Sequence, residues 1–359
     1  MRTPLPADFL PCASLLQALS DPTLLVDADR RIVTANAAAR DLFAVPLVGG
    51  LILSYIRQPE AAAAVEQGLQ AVAEGKSIEP IEARMLHATA SQDTVLQVRI
   101  SPLAPDLGLR AMMVTLRDIS QVEEAEQQRR DFVANVSHEL RSPLTVLTGF
   151  IETLRGPARD DPEARQQFLD IMDREAQRMT RLVSDLLSLS RVEAEERVRP
   201  RQLVSLTDIL TAVLAALSHQ LDEAELRVTV DAPPALPLIP GDRDQLMQVF
   251  HNLIENAVKY GVSGGKIDVS LSNIGPVPGL AGEALCVEVR DYGDGIAPIH
   301  VPRLTERFYR IDGHRSRAMG GTGLGLAIVK HIVNRHRGRF TIRSKQGEGS
   351  TFTILLPTA

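Results

Sequence analysis

The residues whose types and spacing suit chemistry fall in four short segments. The first is Phe132-Val133-Ala134-Asn135-Val136-Ser137-His138-Glu139-Leu140-Arg141-Ser142-Pro143-Leu144. His138 lies two residues from both Val136 and Leu140. Two residues is about 200° around a helix, so the imidazole points away from the apolar stripe. Beside Glu139 it is placed to act as a nucleophile, because the carboxylate takes the proton of one ring nitrogen and leaves the other free to attack. Taken alone, an ordinary surface histidine is the simpler reading.

The second segment, Asn252-Leu253-Ile254-Glu255-Asn256-Ala257-Val258-Lys259-Tyr260, puts Asn252, Asn256 and Lys259 on one face of a helix. Two amides and an ammonium suit a magnesium-bound polyphosphate: carbonyl oxygens for the metal and its waters, charge for phosphate. A solvated polar face is the alternative. The third is Asp291-Tyr292-Gly293-Asp294-Gly295-Ile296, which follows a strand. Its Asp can accept a hydrogen bond from an exocyclic amine, and its glycines let backbone approach a flat ring. A plain turn with a solvated Asp is the alternative.

The fourth is Gly320-Gly321-Thr322-Gly323-Leu324-Gly325-Leu326-Ala327-Ile328-Val329-Lys330. A glycine-rich loop that opens a helix binds phosphate through free amides and the helix dipole. The third glycine falls one place early for the dinucleotide fingerprint, and no GxxxxGK[ST] occurs in the chain. Between the two glycine clusters, residues 297–318 carry Arg303, Arg307, Arg310, Arg315 and Arg317, a loop suited to closing over a nucleotide as a lid.

The elements that must position these groups follow from periodicity. Residues 121–198 read as helical throughout. Phe132, Val136, Leu140, Leu144, Leu147, Ile151 and Leu154 recur at steps of three and four, one apolar face of a long helix. Pro143 removes the amide that would bond the carbonyl of Glu139, which predicts a bend there. Gly156-Pro157 ends the helix, and Asp161-Pro162-Glu163 starts the next with an N-cap, a Pro and an acid. Phe168, Ile171, Met172, Met179, Leu182, Val183, Leu186, Leu187 and Leu189 form the second stripe, broken by Glu175. Each stripe is too long for the other helix to cover, which predicts two hairpins paired as a four-helix bundle in a homodimer.

From about residue 200 onward, helices over 206–221, 242–260 and 325–337 mix with strands over 226–230, 266–272, 284–290, 339–344 and 350–356. That is a two-layer α/β arrangement with the helices on one face of a sheet. The first region, up to about residue 118, shows short alternating runs at 24–27, 31–33, 95–100 and 111–116, the strands of a mainly antiparallel sheet. Residues 35–75 are rich in Ala and Leu and read as helical.

Composition narrows the function. The chain has 359 residues, 44% hydrophobic and 23% charged, a globular composition that suggests two or three domains. A net charge of −6, no Trp and 4% aromatics argue against nucleic-acid binding. Cys12 and Cys286 lie far apart without a CxxC, which argues against a disulfide scaffold or a cysteine zinc site. The longest uncharged apolar stretch, 42–56, contains Pro46 and Gly49-Gly50 and falls short of the roughly 20 residues of a spanning helix. It is expected to be a buried stretch of a soluble domain. No positive region followed by an apolar core opens the chain, so no secretory signal is visible and a cytoplasmic location is expected. Association through a membrane protein partner stays open.

The order of these segments resembles the sensor histidine kinases of two-component systems. His138-Glu139-Leu140-Arg141-Ser142-Pro143 is similar to the H box and residues 252–260 to the N box. Asp291-Tyr292-Gly293-Asp294-Gly295 is similar to the first glycine box, Phe308-Tyr309 to the F box, 321–325 to the second glycine box and Gly347-Glu348-Gly349-Ser350-Thr351-Phe352 to the last. The resemblance covers 121–359. The first 120 residues resemble a PAS sensor domain, with Asp118-Ile119-Ser120 as its exit into a signalling helix. Residues 19–45, with Val26-Asp27, Ile32-Val33 and Asn36, are most similar to the PAS domain of phosphate-regulon sensor kinases.

The resemblance implies a multidomain α+β chain: a PAS-like sensor over 1–120, a dimerisation and phosphotransfer hairpin over 121–198, and an ATP-binding α/β sandwich over 199–359. It implies ATP and Mg2+ as cofactors. His138 would accept the γ-phosphoryl group, Glu139 would be its acid–base partner, and Asn256 would hold the metal. Asn252 and Lys259 would lie near the phosphates, and Asp291 would recognise adenine. Tyr260, Gly293, Gly295, Arg317, Gly321, Thr322, Gly323, Leu324, Gly325 and Thr351 would complete the nucleotide site. An Asp of a response regulator receiver domain would take the phosphoryl group. ATP-hydrolysing relatives of this nucleotide fold carry a Glu where this chain has Asn252, which favours transfer over hydrolysis. Ser142 stands where the family often has a Thr or Asn that orients water for regulator dephosphorylation. A phosphatase-biased interaction protein with little kinase activity is the alternative. The signal reaching the first domain is not legible; His87, its one histidine, reads as a surface residue.

Overall fold

The computed structural model describes residues 15–76, 78–88, 93–103, 110–311 and 321–358. Cys12, Arg315, Arg317 and Gly320 lie outside the described residues. The chain divides into two compact units, residues 1–131 and 132–359.

The first unit is built on an antiparallel sheet of order β2-β1-β5-β4-β3, with β1 Thr23–Asp27, β2 Ile32–Ala35, β3 Ile81–Ala88, β4 Asp93–Pro102 and β5 Ala111–Asp118. Helices α1 (Ala37–Phe43) and α2 (Pro59–Glu74) complete it. Strand β3 was not apparent from the sequence: its Ala83 and Met85 face the core, but charged residues flank them. The stretch 42–56 is only partly buried. Leu47, Ile52 and Ile56 enter the core, while Val45, Val48 and Leu51 are exposed. Asn36, fully buried, accepts from the amides of Thr23 and Ala39 and donates to the carbonyls of Leu19 and Asp21, tying the start of β1 to the cap of α1. His87 accepts an edge contact from Phe43 and bonds the carbonyl of Leu42. At the exit, Asp118 accepts from the Ser120 amide and the Ser120 hydroxyl accepts from the Val95 amide, which fixes the start of the next helix.

That helix, α3, spans Ser120–Arg155 and runs on through Pro143, which is buried. Asp161 then caps α4, Pro162–Glu195, by accepting from the Ala164 amide. Phe150 stacks on Phe168 near the turn, with ring centroids 4.9 Å apart. Leu144, Ile151, Leu169, Val183 and Leu187 remain exposed in the single chain.

The remainder is a sheet of order β11-β12-β10-β9-β7, formed by β7 Arg227–Asp231, β9 Lys266–Pro276, β10 Glu283–Asp291, β11 Arg339–Lys345 and β12 Gly349–Pro357. Only β7–β9 is parallel; the other pairs are antiparallel. Two short strands, β6 Leu203–Val204 and β8 Ile239–Pro240, pair separately. Helices α5 (Leu206–Glu223), α6 (Arg243–Tyr260) and α7 (Gly325–Arg335) bury apolar faces in one core with the sheet. Leu182, Leu189 and Val192 of α4 join that core, so the hairpin packs on the α/β part of the same unit. No helix among the described residues is long and apolar enough to cross a membrane.

Candidate functional site

Helix α6 supplies one wall of a cavity of about 450 Å³. Asp242 caps the helix by accepting from the amides of Asp244 and Gln245. Leu246, Val249, Phe250, Leu253, Ile254 and Ala257 bury one face. The three- and four-residue spacing therefore turns Asn252, Glu255, Asn256 and Lys259 to the cavity. Lys259 pairs with Glu255 at 2.8 Å.

The turn after β10 supplies the floor. Asp291 is 4% exposed and lines the cavity. Its Oδ1 accepts from the amides of Gly293, at 3.0 Å, and Ser350, at 3.2 Å, which fix the carboxylate. Burial pushes this carboxyl above the usual carboxylate range, while the amide bonds oppose the shift. A side chain at position 293 would meet the Tyr260 carbonyl at 2.0 Å, so only glycine lets the turn close there.

The loop Gly321-Thr322-Gly323 borders the cavity on the other side and leads into α7. Gly323 has φ +73°. A Cβ there would lie 2.9 Å from the backbone of Phe308, whose amide donates to the Gly323 carbonyl at 2.8 Å. The Asn252 amide group donates to the Gly325 carbonyl at 3.2 Å, tying α6 to the first turn of α7. This first turn presents backbone amides beside the cavity, an arrangement that suits phosphate. Asn252, Glu255 and Asn256 form an oxygen donor set that suits Mg2+.

Most of the expected nucleotide residues converge on this one cavity: Asn252, Asn256, Lys259, Tyr260 and Asp291 on one side, Gly295, Gly321, Thr322, Gly323 and Gly325 on the other. Among the described residues, three of the expected ones do not line it. Gly293 acts through the backbone of the turn. Leu324 is buried in the core. Thr351 lies between Ser350 and Phe352, which line the cavity, and alternation along β12 turns it to the other face. The described lid arginines do not close over the cavity as a set. Arg303 pairs with Glu306 and lies over Tyr309, Arg307 bonds Glu193 of α4 at 2.6 Å, and Arg310 reaches Glu139 at 3.4 Å.

His138 and Ser142 are exposed on α3 and lie outside the cavity lining. Glu139 is half-buried, and its Oε2 takes Arg178 of α4 at 2.5 Å as well as Arg310. Sequence reasoning missed Arg181 and Asp185, which α4 adds to the cavity from far along the chain, and His251 and Glu255 on α6. For the last two, spacing from Asn252 and Asn256 was a signal; for the α4 residues there was none.

The chain matches three family models: a PAS fold over residues 16–124, the His Kinase A (phospho-acceptor) domain over 128–195, and the histidine kinase-, DNA gyrase B- and HSP90-like ATPase over 241–359. It is 37% identical over 339 residues to the phosphate regulon sensor protein PhoR of Pseudomonas aeruginosa, covering 94% of this chain and 72% of that protein. This chain is a sensor histidine kinase. The kinase is also 31% identical over 348 residues to the sensor protein kinase WalK of Staphylococcus aureus, of which it spans 54%. Its fold is similar to that of histidine kinase ThkA, solved in complex with response regulator protein TrrA, with a TM-score of 0.51, 21% identity, and 96% of this chain and 98% of that one covered. A sensor histidine kinase uses ATP, and apart from Arg181 and Asp185 of α4 the residues lining the cavity belong to the ATPase-like part of this one.

Proposed function

We propose that this kinase phosphorylates itself on His138 and passes the phosphoryl group to an aspartate of a response regulator receiver domain. The observation that carries this reading is the convergence of Asn252, Asn256, Asp291 and the glycine loop, far apart in sequence, on one cavity. Asp291 holds the adenine amine, with its carboxylate oriented by the amides of Gly293 and Ser350. The first turn of α7 and Thr322 hold phosphate oxygens. Asn256 holds Mg2+, with Asn252 and Lys259 beside it; the ion when bound neutralises phosphate charge. The free ring nitrogen of His138 attacks the γ-phosphorus. A P–N bond forms as the bond to the β–γ bridging oxygen breaks, and ADP leaves. The proton on the other ring nitrogen passes to Glu139. In the second step the P–N bond breaks as the receiver carboxylate forms a P–O bond. Ser142, one turn beyond His138, orients water when the regulator is dephosphorylated.

The working unit is a homodimer in which two hairpins form a four-helix bundle, with boundaries at 1–120, 121–198 and 199–359. The similarity to PhoR supports a role in phosphate-responsive signalling. A cytoplasmic location fits a sensor fed by a partner. Asn256→Ala and Asp291→Asn test the nucleotide site: both should remove ATP-dependent labelling, the second by weakening ATP binding about tenfold or more. Labelling at the wild-type rate in both variants would contradict the assignment.

A further inference from the structure

The segment Glu306–Arg310 is gripped from two sides. On one side it meets the helical hairpin. Phe308 packs on Phe132 of α3 with ring centroids 5.8 Å apart, and Arg307 bonds Glu193 of α4 while its guanidinium lies over the Phe132 ring. Phe132 and Glu139 are seven residues apart, two turns along one face of α3. On the other side the segment meets the glycine loop through the Phe308 amide and the Gly323 carbonyl. Phe308 itself has φ 63°, a left-handed conformation that a bulky residue adopts at a cost and that needs surrounding contacts to hold it.

Arg310 completes the connection. Its Nη2 donates to Oε2 of Glu139 at 3.4 Å and also to the carbonyl of Gly321. Its side chain is 9% exposed and lines the nucleotide cavity. Arg178 holds the same Glu139 oxygen from α4.

We propose that Arg310 is a positioning residue for phosphoryl transfer: one guanidinium ties the carboxylate next to His138 to the loop that holds the phosphates. This rests on the reading of His138 and Glu139 given above. ATP can bind without that tie, because the groups assigned to adenine and metal lie on α6 and the Asp291 turn. Transfer needs it, because in-line attack requires the histidine helix and the glycine loop to hold a fixed separation. A lysine keeps the charge but has no planar fork to span two acceptors.

The test is made on the full-length protein, with γ-labelled ATP and Mg2+ for rate and a fluorescent ATP analogue for affinity. Arg310→Gln should lower the labelling rate at saturating ATP at least about tenfold, a larger factor than any weakening of the nucleotide Kd. Arg310→Lys should recover only part of the rate. Glu139→Gln combined with Arg310→Gln should be little slower than the slower single variant, since both break one unit. Should Arg310→Gln melt early, Arg310→Lys carries the same split between rate and affinity. A wild-type rate in Arg310→Gln, a loss confined to nucleotide affinity, full rescue by Lys, or effects that multiply in the double variant would each overturn the proposal. Failure of the underlying reading is separate: it would show as wild-type label that survives His138→Ala.

Discussion

The carboxylate of Asp185 on the helical hairpin accepts a hydrogen bond of 2.7 Å from the hydroxyl of Thr322 in the glycine-rich loop. The same hydroxyl accepts from the Leu324 amide at 3.3 Å. An α4 acid thus sits on a loop whose amides suit phosphate, and burial and nearby Glu255 both raise its pKa, against the hydrogen bond from Thr322. Asp185 and a polyphosphate place like charge in one cavity.

Asp185→Asn should therefore tighten ATP binding. The amide oxygen can still accept from Thr322, so only the charge is removed. The expected gain is about threefold to tenfold in Kd at moderate salt, read by titration with a fluorescent analogue. Weaker binding would mean that the carboxylate helps hold the metal.

His336 should make stability depend on pH. The ring is 1% exposed, its Nε2 accepts from the Asp242 amide at 2.9 Å and its Nδ1 donates to the Ile332 carbonyl at 2.7 Å. Burial lowers its pKa first, and the charges of Arg335 and Arg199 add to that; the Ile332 carbonyl and the Asp242 carboxylate oppose it. The unfolded chain thus takes up the proton before the folded one. This contribution is complete above the unfolded value of about 6.5 and is lost as pH falls from there towards the lower folded value. Urea unfolding of the full chain from pH 7.5 to 5.5 should show the loss, and His336→Gln should flatten it. An equal slope in the variant would assign the effect elsewhere.

The apolar residues left exposed on the hairpin should hold the dimer. Leu187 is 64% exposed and Leu144 56% in the single chain. Burying one leucine contributes about 1.5–3 kcal/mol, and a homodimer has two copies of each. Leu187→Arg should shift the protein to monomer in sedimentation, with ATP binding retained. A dimer of unchanged strength would place the interface on another surface.

Much of this was legible because it is local. The H box, N box and glycine clusters are short segments, and each lies on the type of element that its periodicity indicated. The helix expected over 242–260 runs Arg243–Tyr260 with Asp242 as its cap. What was not legible depends on packing between distant segments. Nothing local marks Arg178, Arg181 or Asp185, spaced along one side of a long helix among other charges, as neighbours of Glu139 and the nucleotide cavity. The strand's period of two puts Ser350 and Phe352, on either side of Thr351, at the cavity. The short β6–β8 pair carries too few residues for any pattern. Pro143 lies inside α3, which runs on through it, and is buried.

The most direct test of the central claim is incubation of the purified protein with γ-labelled ATP and Mg2+, wild type beside His138→Ala. His138 is exposed on α3 and outside the cavity lining, so the variant should bind ATP as the wild type does. The account predicts label on the wild type alone, lost in acid and stable in base. Label retained by His138→Ala, or label that survives acid, would contradict it.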